Sequence, residues 1–218
     1  MPVSPTPFST LAARGDSRLD ELALALAAEL EEADAQGALA ELDRLGAEVR
    51  PVAGGTPTAQ ADALAEVLGR RYGFVGDHED YDHPDNSMLD LVLDRRKGLP
   101  ILLSVVYVEV ARRAGIELSG VGLPGHYVVG HFGQAPPILL DPFAGGATIQ
   151  AAVTADLRPW SAHQTALRML NNLLGSYERR ADLSRAIRVA EMRLELPLGE
   201  AEEATFGAEM RALRARLN

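Results

Sequence analysis

The chain has 218 residues, of which 47% are hydrophobic and 24% charged, and its formal net charge is −10. This composition is typical of a globular protein that buries a core, and the acidic balance argues against nucleic acids and anionic membranes as partners, because both require a basic surface. The sequence contains no cysteine, which excludes disulfides, thiolate catalysis and cysteine-ligated metal sites.

No stretch approaches the roughly 18 consecutive apolar residues that a bilayer-spanning helix needs. The first residues lack the charged-then-apolar order of a secretory signal, so we expect a cytoplasmic protein. Residues 1–17 are rich in proline, serine and threonine, which predicts a flexible N-terminus.

Three helices are predicted in the first third of the chain. Leucine and alanine recur there at three- and four-residue steps, with acidic residues between them, over 19–37, 38–49 and 58–72. Stripes of this kind are nearly always packing surfaces, so we interpret the three helices as scaffold.

Residues 76–86 are polar and acidic, and they contain His78 and His83. Carboxylates and imidazoles suit zinc or manganese, which makes these histidines weak candidates for a metal site. Their spacing matches no standard signature, so the alternative is a solvated loop, and we assign neither a metal nor a cofactor. Asn86 or Ser87 is expected to cap a helix that begins at Met88.

Residues 99–114 predict the most buried helix of the chain, because its apolar positions leave little polar surface. Pro100 suits the first turn, where no backbone N–H is required, and Gly115 ends the helix.

Strands are predicted over 116–123, 126–132 and 138–140. If the turn between the last two centres near Gln134, then His126 and Asp141 are close neighbours across an antiparallel pair. A glycine-bearing helix entry followed by such a His and Asp is the layout of a Cys-His-Asp thiol site, here without a thiol.

Two helices are predicted over 165–195 with a break at 181–182, and a last helix over 200–217. The pair loosely matches one tetratricopeptide unit, and the alternative is a helical hairpin that caps the main domain. We therefore predict an α+β fold in three parts: a flexible segment over 1–17, a main domain over 18–160 and a helical tail over 161–218 packed on it. The main domain consists of N-terminal helices and a central helix on a small antiparallel sheet.

Several short motifs together resemble the transglutaminase-like superfamily, which has a papain-type α+β fold. The resemblance is strongest to a bacterial branch with a tetratricopeptide-like C-terminus, and it covers roughly residues 60–197. The motifs that carry it are Asp85-Asn86-Ser87, Gly98-Leu99-Pro100, Ala111-Arg112-Arg113-Ala114-Gly115-Ile116, Gly125-His126-Tyr127, Asp141-Pro142-Phe143 and Arg168-Met169-Leu170-Asn171-Asn172-Leu173.

The resemblance implies that His126 matches the catalytic histidine and Asp141 the aspartate that orients it. Pro100 stands where active members have their cysteine, at the N-terminus of the central helix, and proline offers neither a nucleophile nor an N–H. The pair His126–Asp141 is then either a retained acid–base element or a buried bond that ties two strands together. Ser104, one helical turn after Pro100, replaces the thiol only if its hydroxyl reaches His126.

From these residues we predict a non-catalytic, transglutaminase-like protein that binds a peptide or protein segment, or acts in regulation, through a cleft around His126. The alternatives are a hydrolase or amide-transfer enzyme that uses His126 and Asp141 with Ser104 or a bound water, and a pure scaffold without a cleft. The oligomeric state stays open. The remaining cleft residues that we predict are Tyr81, Asp85, Asn86, Ser87, Gly98 and Tyr127.

Overall fold

The computed structural model describes residues 6–149 and 157–217, which form helices around a small sheet. The helices are α1 (Phe8–Ala12), α2 (Leu19–Leu30), α3 (Ala35–Val49), α4 (Pro57–Leu64), α5 (Leu89–Arg95), α6 (Pro100–Ala114), α7 (Ala162–Arg179), α8 (Leu183–Glu195) and α9 (Glu200–Ala215). The strands are β1 (Val75–Gly76), β2 (Lys97–Gly98), β3 (Ser119–Leu123), β4 (His126–His131), β5 (Ile138–Asp141) and β6 (Ala147–Ile149). Within the described ranges no helix combines the length and apolar character needed to cross a lipid bilayer.

Helix α6 is the centre of the core, as its apolar sequence predicts. It begins at Pro100, whose missing N–H costs nothing in a first turn, and it ends at Gly115, whose φ of 81° suits glycine. Helices α2, α3 and α5 pack around it, and strands β3 and β4 lie against another of its faces. The predicted arrangement of a central helix on a small sheet is therefore present, and the mixed α+β class is confirmed.

Strands β3 to β6 form an antiparallel sheet in chain order. Val129 pairs with Leu140 and His131 with Ile138, so the register of this hairpin is the one that a turn near Gln134 predicts. Strand β6 and the parallel pair β1–β2 were not predicted, because two or three residues are too few to show an alternating pattern.

The predicted flexible N-terminus is wrong for residues 8–12, which form helix α1. Phe8, Leu11 and Ala12 occupy one helical face and are buried in the core. The Ser17 hydroxyl donates to the Leu11 carbonyl at 2.6 Å and fixes the exit from the helix. The burial of Phe8 outweighs the loop-forming composition around it, and residues 1–5 lie outside the described residues.

The helical tail packs on the main domain. Met169, Leu170 and Leu173 on α7 are fully buried, and Asp182 begins α8 by accepting a hydrogen bond from the Arg185 backbone N–H at 3.1 Å. The helices α7 and α8 thus form the expected hairpin, and α9 packs on α8.

An ion cluster joins α2 to α6 inside the core. The guanidinium of Arg113 contacts Asp20 at 2.6 Å and Glu109 at 2.7 Å, and these two carboxylate side chains are 0% and 2% exposed. Arg112 also contacts Glu109, at 2.8 Å, but its own side chain is 43% exposed. The two arginines of the Ala-Arg-Arg-Ala-Gly-Ile motif therefore differ: Arg113 neutralises buried charge, whereas Arg112 lies at the edge of the cluster.

Candidate functional site

The sheet brings His126 and Asp141 together. His126 begins β4, Asp141 ends β5, and the register makes them diagonal neighbours across the antiparallel pair. The His126 Nε2 atom lies 2.9 Å from the Asp141 Oδ2 atom. The imidazole is 32% exposed and the carboxylate 15%, so the pair lies at the protein surface rather than in the core.

Asp141 is held so that one oxygen is left for the histidine. Its Oδ1 atom accepts hydrogen bonds from the backbone N–H groups of Phe143 at 3.0 Å and Ala144 at 3.4 Å, which caps the 3₁₀ turn Pro142–Ala144. A neutral imidazole that donates from Nε2 to Asp141 has its Nδ1 atom as an acceptor. Nδ1 forms no hydrogen bond with any residue that the structure describes, and it is therefore the nitrogen free to meet a ligand.

Arg168 on α7 holds the backbone of the same histidine. Its Nη2 atom donates to the His126 carbonyl at 2.9 Å, and its guanidinium lies against the rings of Tyr127 and Trp160, at 5.4 Å and 5.7 Å from their centroids. The C-terminal helix thus participates in the site. Reasoning from the residues missed this role, although Arg168 opens the last motif of the family resemblance.

Phe143 is the centre of an aromatic cluster that we define as His78, Tyr81, His126 and Phe143. The rings of His78, Tyr81 and His126 meet Phe143 edge-on, with centroid distances of 4.6, 5.8 and 6.4 Å. Tyr81 is 48% exposed. The cluster places an aromatic surface beside the imidazole, which suits contact with apolar groups of a ligand.

Neither Pro100 nor Ser104 supplies a nucleophile to His126 among the residues that the structure describes. Pro100 is the first residue of α6, as expected, and it is buried. The hydroxyl of Ser104 is fully buried and donates to the Pro100 carbonyl at 2.8 Å. Ser104 and His126 form no hydrogen bond in the described structure, so Ser104 does not take the place of the thiol in this geometry.

Two of the remaining predicted cleft residues line a cavity. Tyr81 and Ser87 contribute to a pocket of about 170 Å³ between α7 and the segment before α5. Asn86 instead fixes that segment, because its Nδ2 atom donates to the Asp80 carbonyl at 2.7 Å and its Oδ1 atom accepts from Arg95 at 3.2 Å. Neither Asn86 nor Ser87 caps α5, since both lie in a 3₁₀ turn that Pro84 begins.

Packing buries two further predicted cleft residues, Tyr127 and Gly98, whereas Asp85 stays partly exposed. The Tyr127 hydroxyl bonds to the Thr165 hydroxyl at 2.7 Å, and the tyrosine is 2% exposed. Gly98 pairs with Gly76 in the short parallel ladder and is packed against α5. Asp85 contacts His83 at 3.2 Å, outside the aromatic cluster. Alternation along a strand does not reveal which of its faces the helices will cover, and this accounts for the misplacement of Tyr127.

The two weak metal candidates do not converge. His78 packs on Phe143, whereas His83 Nδ1 accepts from the Asp85 backbone N–H at 3.3 Å. Among residues 6–149 and 157–217, no three histidine or acidic side chains are placed to hold a metal ion. The carboxylate of Asp77, in the same acidic segment, already has partners. Burial opposes its ionisation, but backbone N–H donors and the ion pair with Arg95 at 3.0 Å keep the pKa of Asp77 below its usual value.

Tyr107 on α6 lies behind the site with a buried hydroxyl. The residue is 0% exposed, and burial raises the pKa of its phenol. The hydroxyl has no hydrogen-bond partner in the described part of the chain. A Cβ atom at Gly146 would lie 2.7 Å from it, so the hydroxyl lies next to the loop that follows Asp141, at a position where a side chain would not fit.

Replacing Tyr107 with phenylalanine should leave the free energy of unfolding unchanged or raise it by up to about 1 kcal/mol, since a buried hydroxyl without a partner is removed. The matched change, Tyr127→Phe, should lower it by about 1 kcal/mol, because the bond to Thr165 is lost. Urea unfolding of both variants measures the difference. Equal losses in the two would show that the Tyr107 hydroxyl is engaged in the native protein.

Comparison with known proteins identifies a family for this chain. A family model described as the transglutaminase-like superfamily matches residues 36–188. That match covers more than half of the chain, and the protein therefore belongs to the transglutaminase-like superfamily. The resemblance seen in the motifs is confirmed at this level.

Individual relatives cover smaller parts of the chain. A UPF0162 protein of Xylella fastidiosa is 36% identical over 154 residues, which are 62% of this chain and 54% of that protein. A UPF0162 protein of Pseudomonas aeruginosa is 41% identical over 112 residues, 50% of this chain and 40% of that protein. F-box only protein 21 of Mus musculus is 38% identical over 68 residues, 31% of this chain and 11% of that protein.

The chain spans about half the length of the bacterial relative with the longest of these matches. No solved structure matches it.

Proposed function

We propose that this protein is a non-catalytic member of its superfamily that binds a peptide or protein segment in the cleft around His126. One observation carries the proposal: an oriented His–Asp pair faces the surface with its Nδ1 atom free, while the helix entry that would hold a cysteine holds Pro100. Neither a thiol at residue 100 nor the Ser104 hydroxyl is there for the imidazole to activate, but an imidazole acceptor beside aromatic rings is suited to recognition.

The helical tail supports the same proposal. Arg168 connects α7 directly to the His126 backbone, so binding at the cleft and packing of the tail are physically linked. We propose that the α7–α8 hairpin is the tetratricopeptide-like part of this branch and that it supplies a second contact surface. The match of a 68-residue segment within the much longer F-box only protein 21 is consistent with a module that combines with other segments.

A hydrolase or amide-transfer enzyme is the second candidate. The observation that favours it is the geometry of the pair, because Asp141 fixes the tautomer in which Nδ1 can accept a proton from a bound water. This route needs neither Ser104 nor a thiol. It predicts that a bound partner is chemically altered, whereas the binding proposal predicts that it is not.

Capture of partners from a cell lysate with wild-type protein and with His126→Ala separates these functions. We expect the mutant to lose specific peptides or proteins, because it removes the free acceptor and one ring of the aromatic cluster. His163→Ala is the matched control, since His163 bonds to the Ala12 carbonyl at 3.0 Å, outside the cluster. Thermal unfolding of each variant checks that the fold is kept.

The captured partners are then incubated with wild-type protein and measured by mass spectrometry. Unchanged masses support binding alone, whereas a mass change that depends on His126 supports the enzyme. Identical partner lists for wild type and His126→Ala would contradict the cleft proposal and leave His126–Asp141 as a bond between strands.

A further inference from the structure

One face of α7 carries a polar stripe that begins at the candidate site. The stripe comprises Arg168, Asn171, Asn172, Gly175 and Arg179, and these positions share a face because they recur at three- and four-residue steps. Arg168 donates to the His126 carbonyl at 2.9 Å, and Arg179 contacts Asp82 at 2.6 Å. At a rise of about 1.5 Å per residue, the α7 stripe is roughly 16 Å long.

A pocket opens along this stripe. Its volume is about 170 Å³, with Asn171, Asn172 and Gly175 on the helix side and Ser87 and Leu99 on the other. Pockets for whole cofactors and drug-sized molecules begin at about 300 Å³. This one therefore fits a side chain or a short piece of backbone.

The charged groups at the pocket are already paired. Arg179 is neutralised by Asp82 at 2.6 Å, and His83 lies 3.2 Å from Asp85. The one arginine and the one aspartate of the pocket lining compensate each other, so the pocket offers a charged ligand no net attraction and favours an uncharged one.

The pocket lining also contains uncharged polar groups. These are the carboxamides of Asn171 and Asn172 and the hydroxyl of Ser87, a residue that is only 1% exposed. Each of these groups both donates and accepts, as a peptide group does. Leu99 adds an apolar wall.

Tyr81 connects the pocket to the aromatic cluster. It lines the pocket, and its ring lies 5.8 Å from that of Phe143, the neighbour of His126. Gly175 has no side chain and therefore leaves the middle of the stripe open, although glycine has a low helix propensity. An elongated ligand can thus lie along α7 and reach His126.

We propose, on the basis of the peptide-binding function proposed above, that the α7 stripe and its pocket hold an extended, uncharged segment of a partner protein. Asn171 and Asn172 pair with the backbone N–H and C=O groups of that segment, and one of its side chains enters the space beside Gly175. At about 3.3 Å per residue, the stripe accommodates roughly five residues.

The probe is an equimolar pool of acetylated, amidated hexapeptides made of uncharged residues, titrated into full-length protein and followed by the side-chain NH₂ resonances of Asn171 and Asn172. A second pool carries N-methylated amides, and a third has Asp or Lys at its centre. We expect the first pool to shift both resonances, and the other two to bind about tenfold more weakly, since backbone donors are lost or charge is introduced. No shift with the first pool, or equal binding of the methylated pool, would overturn the proposal.

Two variants test the site without endangering the fold. Gly175→Leu fills the pocket and raises helix propensity, and its Cβ atom would meet the flexible end of the Arg179 side chain, at 3.1 Å. Asn171→Leu removes one carboxamide from an exposed position. Both should weaken binding of the first pool about tenfold with thermal stability maintained, whereas the matched control Gln134→Leu, in an exposed turn outside the pocket, should bind as the wild type does.

The variants also separate this inference from the proposed function. Loss of binding in His126→Ala with full binding in both α7 variants keeps the proposed function and overturns the α7 site. Loss in the α7 variants with full binding in His126→Ala supports the α7 site and removes His126 from the binding surface. Loss in all three supports both.

Discussion

Replacing Arg113 with alanine is expected to lower the free energy of unfolding by about 3–5 kcal/mol, the range for breaking a buried ion pair by removing one partner. Arg113 contacts both Asp20 and Glu109, whose side chains are 0% and 2% exposed. Its loss leaves two carboxylates in the core with only the edge contacts of Arg112 and Arg18. Urea unfolding monitored by circular dichroism measures the effect.

Arg112→Ala is the matched control, and it should cost no more than about 1 kcal/mol, because its side chain is 43% exposed and solvent replaces its contacts. Similar losses in the two variants would contradict the assignment of Arg113 as the central cation. They would instead point to packing of the arginine stems on α6.

The pH dependence of stability provides a second check on this cluster. Burial disfavours ionisation of Asp20, but the hydrogen bond and charge of Arg113 outweigh it and hold the pKa of Asp20 below its usual value of 3.8. A lowered folded-state pKa stabilises the protein above the unfolded pKa, and this contribution is lost as the pH falls through the folded value. Arg113→Ala removes the largest lowering contribution and leaves only that of Arg18, so the stability of the variant should change less with pH below about 4 than that of the wild type.

The His–Asp contact could be predicted because a hairpin is local. The short turn between β4 and β5 determines the register, and the register determines which residues face each other across the pair. Helix α6 could be predicted because its signals are also local. A continuous apolar run with proline at its start and glycine after it is compatible with few structures other than a buried helix.

The contacts that complete the site could not be predicted in this way. Arg168 reaches His126 from 42 residues further along the chain, and Phe143 meets His78 and Tyr81 from a different loop. Such contacts depend on how helices pack, which the period of a pattern does not specify. Tyr127 is an example. Its strand was predicted, but α7 covers the face of the strand on which Tyr127 lies, and the Tyr127 hydroxyl bonds to Thr165.

Helix α1 shows that the amino-acid composition of a segment does not always predict its structure. Proline, serine and threonine around Phe8 indicate a loop, and three apolar residues at helical spacing are too few to outweigh them in the sequence alone. In the folded protein Phe8 is fully buried, and that burial decides the structure of the segment. Local propensity is weak evidence where a single large side chain can dock on a preformed core.

Gly69→Ala is the second change with a large expected effect. Gly69 lies in the π-helical turn Ala65–Arg71, where a Cβ atom would be 1.8 Å from the carbonyl oxygen of Gly145. The backbone at Gly145 cannot move aside as a flexible side chain can, so we expect the free energy of unfolding to fall by about 3 kcal/mol. This loss exceeds the gain in helix propensity from glycine to alanine, which is up to about 1 kcal/mol. Gly207→Ala in α9 is the matched control, because a Cβ atom there would meet the flexible end of the Arg211 side chain, at 3.3 Å, and the stability of this variant should be unchanged or higher.

The same substitution tests whether the π-helical turn supports the site. Gly145 follows the 3₁₀ turn that Asp141 caps, so pushing it away from Gly69 should displace Asp141 and weaken its bond to His126. The signal of the His126 Nε2 hydrogen in ¹⁵N-resolved NMR, sharp while Asp141 accepts it, should broaden or disappear in Gly69→Ala and persist in Gly207→Ala. A destabilised Gly69→Ala protein with an unchanged His126 signal would show that the turn supports the core alone. Loss of the signal would mean that the π-helical turn, far from either residue in sequence, determines the geometry of the pair.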